Sequence, residues 1–282
     1  MNQTPKDLGD LSQYQSLLVF GGCYSNLEAS QALQQWVHKN KFEPEQCICT
    51  GDIVAYAANP VETVELVRSW GVHCIQGNVE ESLAANIDHC GCGFDEGSTC
   101  DVLSQGWFPF ADRAVGSADR QWFAQLPQQL SFSFAGKQCQ VVHGAASDIS
   151  RFMYASHADE EFLNEMHDYD IVISGHSGLP FTKKIGNKLW HNSGALGMPA
   201  NDGTSRVWFS TIRLDLQEQI VIEHHNLNYN ALAAQKSMLS NGLSQGYHQT
   251  LVDGLWPSMD VLPDKEKSLS GQAIVLDKIV CS

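Results

Sequence analysis

Cys47-Ile48-Cys49-Thr50-Gly51-Asp52-Ile53-Val54 is a short apolar run that ends in Gly-Asp. Such a run reads as a buried strand that delivers one carboxylate at its C-terminal edge, where open α/β sheets collect ligands. Gly51 permits a sharp turn and a close approach of other groups to the backbone. Three later runs end in the same way: Val72–Gln76 before Gly77-Asn78, Gln140–Val142 before His143-Gly144, and Ile171–Ser174 before Gly175-His176. Asp52, Asn78, His143 and His176 are therefore four strand-end groups expected to converge. One carboxylate, one amide oxygen and two imidazoles suit a divalent cation.

Working outward, the order is strand, helix, strand, helix, strand. Ser16–Phe20 is the first buried strand. Ser25-Asn26-Leu27-Glu28 has capping-box spacing, and Ala29, Ala32, Leu33, Trp36 and Val37 give the following helix one apolar face. Asn59-Pro60-Val61-Glu62 opens a second helix that Gly71 stops. This alternation predicts a parallel α/β core. A helix is expected around 118–126, strands over 130–134 and 137–142, a hairpin about Gly186-Asn187, and a further strand pair over 206–214 and 219–225. The second half reads as mostly antiparallel. Residues 1–15 read as a loose leader, 16–225 as the main domain with an irregular Cys/Gly-rich insertion over 78–117, and 226–282 as a helical and extended appendage.

The 282 residues, 43% of them hydrophobic, suffice for a sizeable core. A formal net charge of −15 with no basic run argues against a nucleic-acid polymer as partner. No apolar run reaches membrane-spanning length, and the polar start carries no export signal. A cytoplasmic protein whose nine cysteines are mostly reduced thiols is the expectation.

The ordered motifs are Gly22-Cys23-Tyr24-Ser25-Asn26, Gly51-Asp52, Gly77-Asn78-Val79, His143-Gly144, Gly175-His176-Ser177-Gly178 and Asn192–Ala200. From about Ser16 to Leu214 the chain resembles the calcineurin-like metallophosphoesterases, in the branch of small bacterial and archaeal phosphodiesterases and dinucleoside-tetraphosphatase-like proteins. The fold this resemblance implies is α/β, a four-layer αββα sandwich of two mixed β-sheets flanked by helices. It also implies two metals, and here the departures matter. The unshared ligands of the first metal stand at Gly22, Tyr24 and Gly178, of which glycine has no donor and a phenol with a reference pKa of about 10 is a poor one. The second site remains whole as Asp52, Asn78, His143 and His176. The general-acid position holds Val79, and the arginine after proline is Ala200.

The resemblance thus implies one retained divalent ion (Mn, Fe, Zn or Ni) and hydrolysis of a phosphoester or phosphoanhydride in a phosphorylated small molecule or nucleotide. The rival is a catalytically inactive module of the same fold that binds a phosphorylated ligand or a protein partner. For the four polar residues, the alternative to a metal is an inherited hydrogen-bonded cluster. Glu80 is a substitute acid or an extra ligand in one reading and a solvated helix start in the other. Cys90, Cys92, Cys100 and His89 have the residue types of a structural zinc site but not its usual C-x₂₋₄-C spacing. A loop with free thiols is the alternative. Cys23, Cys47, Cys49, Cys74 and Cys139 read as buried small hydrophobes. His73 and His191 lie next to the motifs and read as supports for the ligands.

Overall fold

A computed structural model describes residues 4–281. Among these, the strands form two six-stranded sheets. The first has β2 (Ser16–Phe20), β3 (Cys47–Cys49) and β4 (His73–Cys74) in parallel, joined by α1 (Leu27–Lys39) and α2 (Pro60–Trp70). Antiparallel β10 (Val207–Leu214), β11 (Ile220–Leu227) and β12 (Ile279–Cys281) extend it beyond β2. The second sheet runs in the order β1 (Lys6–Asp10), β5 (Leu130–Phe134), β6 (Lys137–Val141), β7 (Ile171–Ser174), β9 (Lys188–Ser193) and β8 (Pro180–Ile185). It is more mixed than expected, because β6, β7 and β9 run parallel.

The period of two along each strand separates the layers. Leu17 and Val19 face the second sheet and meet Ile48, Phe132, Phe134, Val141 and Ile173 in a core between the sheets. Leu18 and Phe20 point the other way, under Leu33 and Val37 of α1 and Val64 and Val67 of α2. On the far side, Val142, Val172 and Trp190 pack beneath Phe162 and Met166 of α6 (Asp159–Met166). Helix, sheet, sheet and helix are the four layers. Strands buried on both faces explain why their sequences read as unbroken apolar runs rather than alternating ones.

Three expectations about the periphery need correction. The leader is not loose where described, since Lys6–Asp10 pairs with β5 as a parallel edge strand. The insertion is mostly helical: α3 (Asn78–Ala85) and α4 (Thr99–Ala114) occupy much of it, and α5 (Ser117–Gln125) follows. Gly106 and Pro109 break the α4 pattern in sequence, but Trp107, Phe108 and Ala111 are buried, so tertiary packing outweighs the lost helical hydrogen bond. The cap of α1 is Asn26 itself, which accepts from Ala29 N at 3.1 Å, while Ser25 accepts from Ala55 N. Beyond β11 the chain forms α7 (Ala231–Ser240), α8 (Tyr247–Asp253) and α9 (Asp264–Ser268). It then returns to the first sheet as β12. No helix among the described residues is long and apolar enough to cross a membrane.

Candidate metal centre

Asp52 follows β3, Asn78 opens α3 just past β4, His143 follows β6 and His176 follows β7. The two sheets thus present their strand ends to one point. Asp52 and His176 both adopt the left-handed region, φ 56° and 59°, which non-glycine residues enter only when the surroundings hold them there. A Cβ at Gly51 would lie 2.6 Å from the Gly77 nitrogen and 2.9 Å from His143 Nδ1, so a glycine is required at that turn.

Second contacts aim each ligand. The His143 ring has Nδ1 2.7 Å from the Thr50 carbonyl, which can only accept, so Nδ1 carries hydrogen. Its Nε2 lies 2.9 Å from Asn78 Oδ1, 3.2 Å from His176 Nδ1 and 3.3 Å from Asp52 Oδ2. Asn78 Nδ2 donates to the Cys90 carbonyl at 2.9 Å, which turns Oδ1 toward the cluster. His176 Nε2 is buried and has no hydrogen-bond partner among the described residues. With Nδ1 of His143 committed, a neutral ring turns a lone pair toward two acceptor oxygens. A cation or a proton must sit there to relieve them.

Without an ion the proton does so. Burial opposes charge on His143, but Asp52 beside it raises its pKa on balance. Burial likewise opposes charge on Asp52, and His143 lowers its pKa on balance. Burial and the neighbouring His143 push His176 down to about 3, so it stays a neutral donor ligand. The atoms of Asp52, His143 and His176 lie within 4.8 Å of one another, and no other group of three His, Cys, Asp or Glu among the described residues does so. The donor set fits a divalent cation that replaces the shared proton.

Glu80 is fully buried, which corrects the solvated helix start. Its carboxylate accepts from Asp52 N at 2.7 Å, Gly77 N at 3.0 Å and Val54 N at 3.0 Å. Burial, with Asp52 near, raises it to about 8. Sequence reasoning missed this clamp, though an acid three residues past the Gly77 cap was its signal. Asn192 is another positioning residue, since it donates to the Gly175 carbonyl and to Ser177 Oγ around the turn that carries His176. Val79 is buried and supplies only its N–H, 3.4 Å from Asp52 Oδ1.

The other candidates separate from this cluster. Cys90 and Cys92 are joined by a disulfide, His89 Nδ1 accepts from Gly91 N, and Cys100 lies in α4 against Ser258. The four do not gather, so the structural zinc reading and the free-thiol reading of Cys90 and Cys92 are both set aside. Cys23, Cys47, Cys49, Cys74 and Cys139 are buried and free. His191 supports no ligand; it is buried between Thr182 Oγ1 at 2.8 Å and Ser210 Oγ at 2.7 Å. His73, at the sheet edge, is half-buried in β4 and paired with Ile48.

The side of the cleft at Gly22, Tyr24 and Gly178 is built from aromatic rings. Gly22 has φ 56°, and a Cβ there would lie 2.6 Å from Tyr24 Cζ. Gly178 has φ 70°, and a Cβ there would meet the Trp256 ring at 3.4 Å. Burial holds the Tyr24 pKa well above the usual phenol value, with Asp52 adding to it, so Tyr24 is a neutral phenol and not an anionic ligand.

The calcineurin-like phosphoesterase superfamily domain matches residues 27–218. An uncharacterized protein of Methanocaldococcus jannaschii is 23% identical over 258 residues, covering 84% of this chain and 98% of its own. A metallophosphoesterase from Sphaerobacter thermophilus superposes with a TM-score of 0.66 at 19% identity, over 86% of this chain and 99% of that one. A hypothetical protein from Pyrococcus horikoshii OT3 gives 0.69 at 14% identity, over 85% and 98%. Their likeness establishes the fold, two mixed sheets flanked by helices. With that fold, and with a family match spanning most of its length, this chain belongs to the calcineurin-like phosphoesterase superfamily.

Proposed function

We propose that this protein is a metal-dependent phosphoesterase that keeps one divalent ion, held by Asp52, Asn78, His143 and His176, and hydrolyses a phosphoester or phosphoanhydride of a small molecule or nucleotide. One observation carries the reading: His143 Nε2 meets Asn78 Oδ1 and Asp52 Oδ2 at hydrogen-bond range while its Nδ1 is committed to Thr50. When bound, a divalent ion supplies the positive charge that attracts a phosphoryl oxygen and lowers the pKa of water.

This chain's residues do the rest. Asp52 offers one negative charge, so a divalent ion held there keeps net positive charge toward an anionic substrate. Thr50, Cys90 and Glu80 hold His143, Asn78 and the Asp52 backbone in place before any ligand arrives. Val79 has no proton to give a leaving group, so good leaving groups are favoured over poor ones.

Elemental analysis of chelator-free protein, beside turnover on a panel of nucleotides and dinucleotides, tests the reading. A stoichiometric ion that vanishes in His176→Ala, with turnover that vanishes beside it, supports it. An ion-free protein, or two tightly held ions with one at Tyr24, sinks it. A second reading, an inactive module binding a phosphorylated ligand or a protein partner, draws on Val79 and on the aromatic Tyr24 side. Phosphate binding without turnover on any ester would favour it.

A further inference from the structure

Where the first-metal ligands are missing, a cavity of about 50 Å³ opens beside His176. Six aromatic side chains from distant parts of the chain line it: Tyr24, Tyr56, Phe94, Phe152, Tyr247 and Trp256. No lysine, arginine, aspartate or glutamate is among its walls. We propose that this cavity is an aromatic cage for a methylated ammonium group, so that the site takes phosphoesters carrying a quaternary ammonium head. The substrate half of this proposal rests on the phosphate-binding reading above; the cage itself does not.

The walls are anchored. Tyr24 packs edge-on to Tyr56 at 4.8 Å between centroids, and Tyr56 lies 4.5 Å from Tyr247. Phe152 lies 4.2 Å from the His176 ring and stacks with Phe94 at 6.3 Å. The Trp256 indole N–H donates to the Pro199 carbonyl at 2.7 Å, which fixes the ring over Gly178. Tyr56, Phe94, Phe152, Tyr247 and Trp256 are only half-buried, so the cavity is reachable from solvent.

The chemistry narrows the guest. Aromatic faces carry partial negative charge and attract a soft cation that sheds water easily. The walls carry no carboxylate side chain that would favour a strongly hydrated metal ion instead. Besides the phenol hydroxyls of Tyr24, Tyr56 and Tyr247, only Cys100, His176, Ser177 and Ser258 add polar side-chain atoms. The enclosed space of about 50 Å³ suits one compact group. The formal charge of −15 favours cationic ligands over the whole surface. His176 belongs to both the cage and the metal cluster, so a phosphate and an ammonium head joined by a short linker can reach the two together.

The test uses the full chain loaded with manganese and titrated calorimetrically with three probes: phosphocholine, its carbon isostere 3,3-dimethylbutyl phosphate, and inorganic phosphate. We expect phosphocholine to bind about tenfold tighter than the isostere, the range of a desolvated cation–aromatic contact. Trp256→Leu and, separately, Tyr247→Leu should pull its affinity toward that of the isostere. Equal affinity for the two esters in the unaltered protein overturns the proposal, whether or not either variant folds. Tetramethylammonium chloride titrated into the metal-free protein separates the two readings. Should inorganic phosphate fail to bind while tetramethylammonium binds and is lost in Trp256→Leu or Tyr247→Leu, the phosphate reading falls and the cage stands. No tetramethylammonium binding refutes the cage, whatever phosphate does.

Discussion

The two sides of one cleft are built in opposite ways. On one, four polar groups from both sheets remain, each aimed by a second contact: Thr50 for His143, Cys90 for Asn78, Glu80 for the Asp52 turn, Asn192 for the His176 turn. On the other, Gly22 and Gly178 leave room that Tyr24 and Trp256 fill with rings. The difference teaches why a buried polar cluster and a packed aromatic wall each hold together as a unit. Removing one ligand leaves the others as buried polar groups short of partners, whereas replacing a whole half by packed aromatics leaves none.

The contrast breaks most severely if the polar side is attacked directly. Asp52→Ala or His176→Ala should take the bound ion from about one per chain to none, because each removes a direct ligand. Elemental analysis after gel filtration reads this, and retention of a full equivalent would contradict the assignment.

The reverse change is the next largest. Gly22→Asp, Tyr24→His and Gly178→His together should create a second ion site, and adding Val79→His should raise turnover by a further ~10²-fold. The structure adds a condition. Gly22→Asp carries φ 56°, so it should lower stability by about 1–3 kcal/mol whatever stands at position 24, and it meets the Tyr24 ring as well until that residue is replaced. Gly178→His likewise carries φ 70°, with Trp256 already in contact with its Cβ at 3.4 Å. Thermal melts and metal stoichiometry across the series check both statements. A parent as fast as the restored variant would mean that the aromatic side never limited the chemistry.

A subtler change sharpens the comparison. Glu80 ties Asp52, Val54 and Gly77 together through their N–H groups. Glu80→Gln keeps the shape but loses one acceptor, and should weaken metal affinity by about 10–100-fold while the fold persists. Competition with a fluorescent chelator measures this; unchanged affinity would demote Glu80 to a cap.

The smallest effect separates ligand histidines from packing histidines. His191 and His224 lie 4.9 Å apart by ring centroid, the first buried and the second half-buried. Burial lowers both, His224 to about 4. Because folded values lie below the ~6.5 of an unfolded imidazole, the unfolded chain binds more protons in between. Their contribution is whole above about 6.5 and fades as pH falls toward 4, by at most ~1.4 kcal/mol per pH unit per group. Melts of His224→Gln should show a flatter acid limb than the parent between pH 7 and 5, and parallel limbs would refute the assignment.

What the amino-acid sequence determined was the frame and the strand-end chemistry. Buried strands must be apolar and must end where helices begin, so β2, β3, β6 and β7 and the groups after them were legible. That Gly22, Tyr24 and Gly178 carry no carboxylate or imidazole was legible too, because a missing side chain needs no fold to be noticed. The tertiary structure alone decided what fills the gap and what aims the ligands. Tyr56, Tyr247 and Trp256 reach the cleft from places far apart in the chain, and no local pattern marks them. Glu80 reads as a surface acid by sequence and becomes a buried clamp only because β3 and α3 close over it. Helix α4 forms through Gly106 and Pro109 because its apolar face has a core to enter. These are long-range contacts, and their free energy exists only once the sheets have brought the partners together.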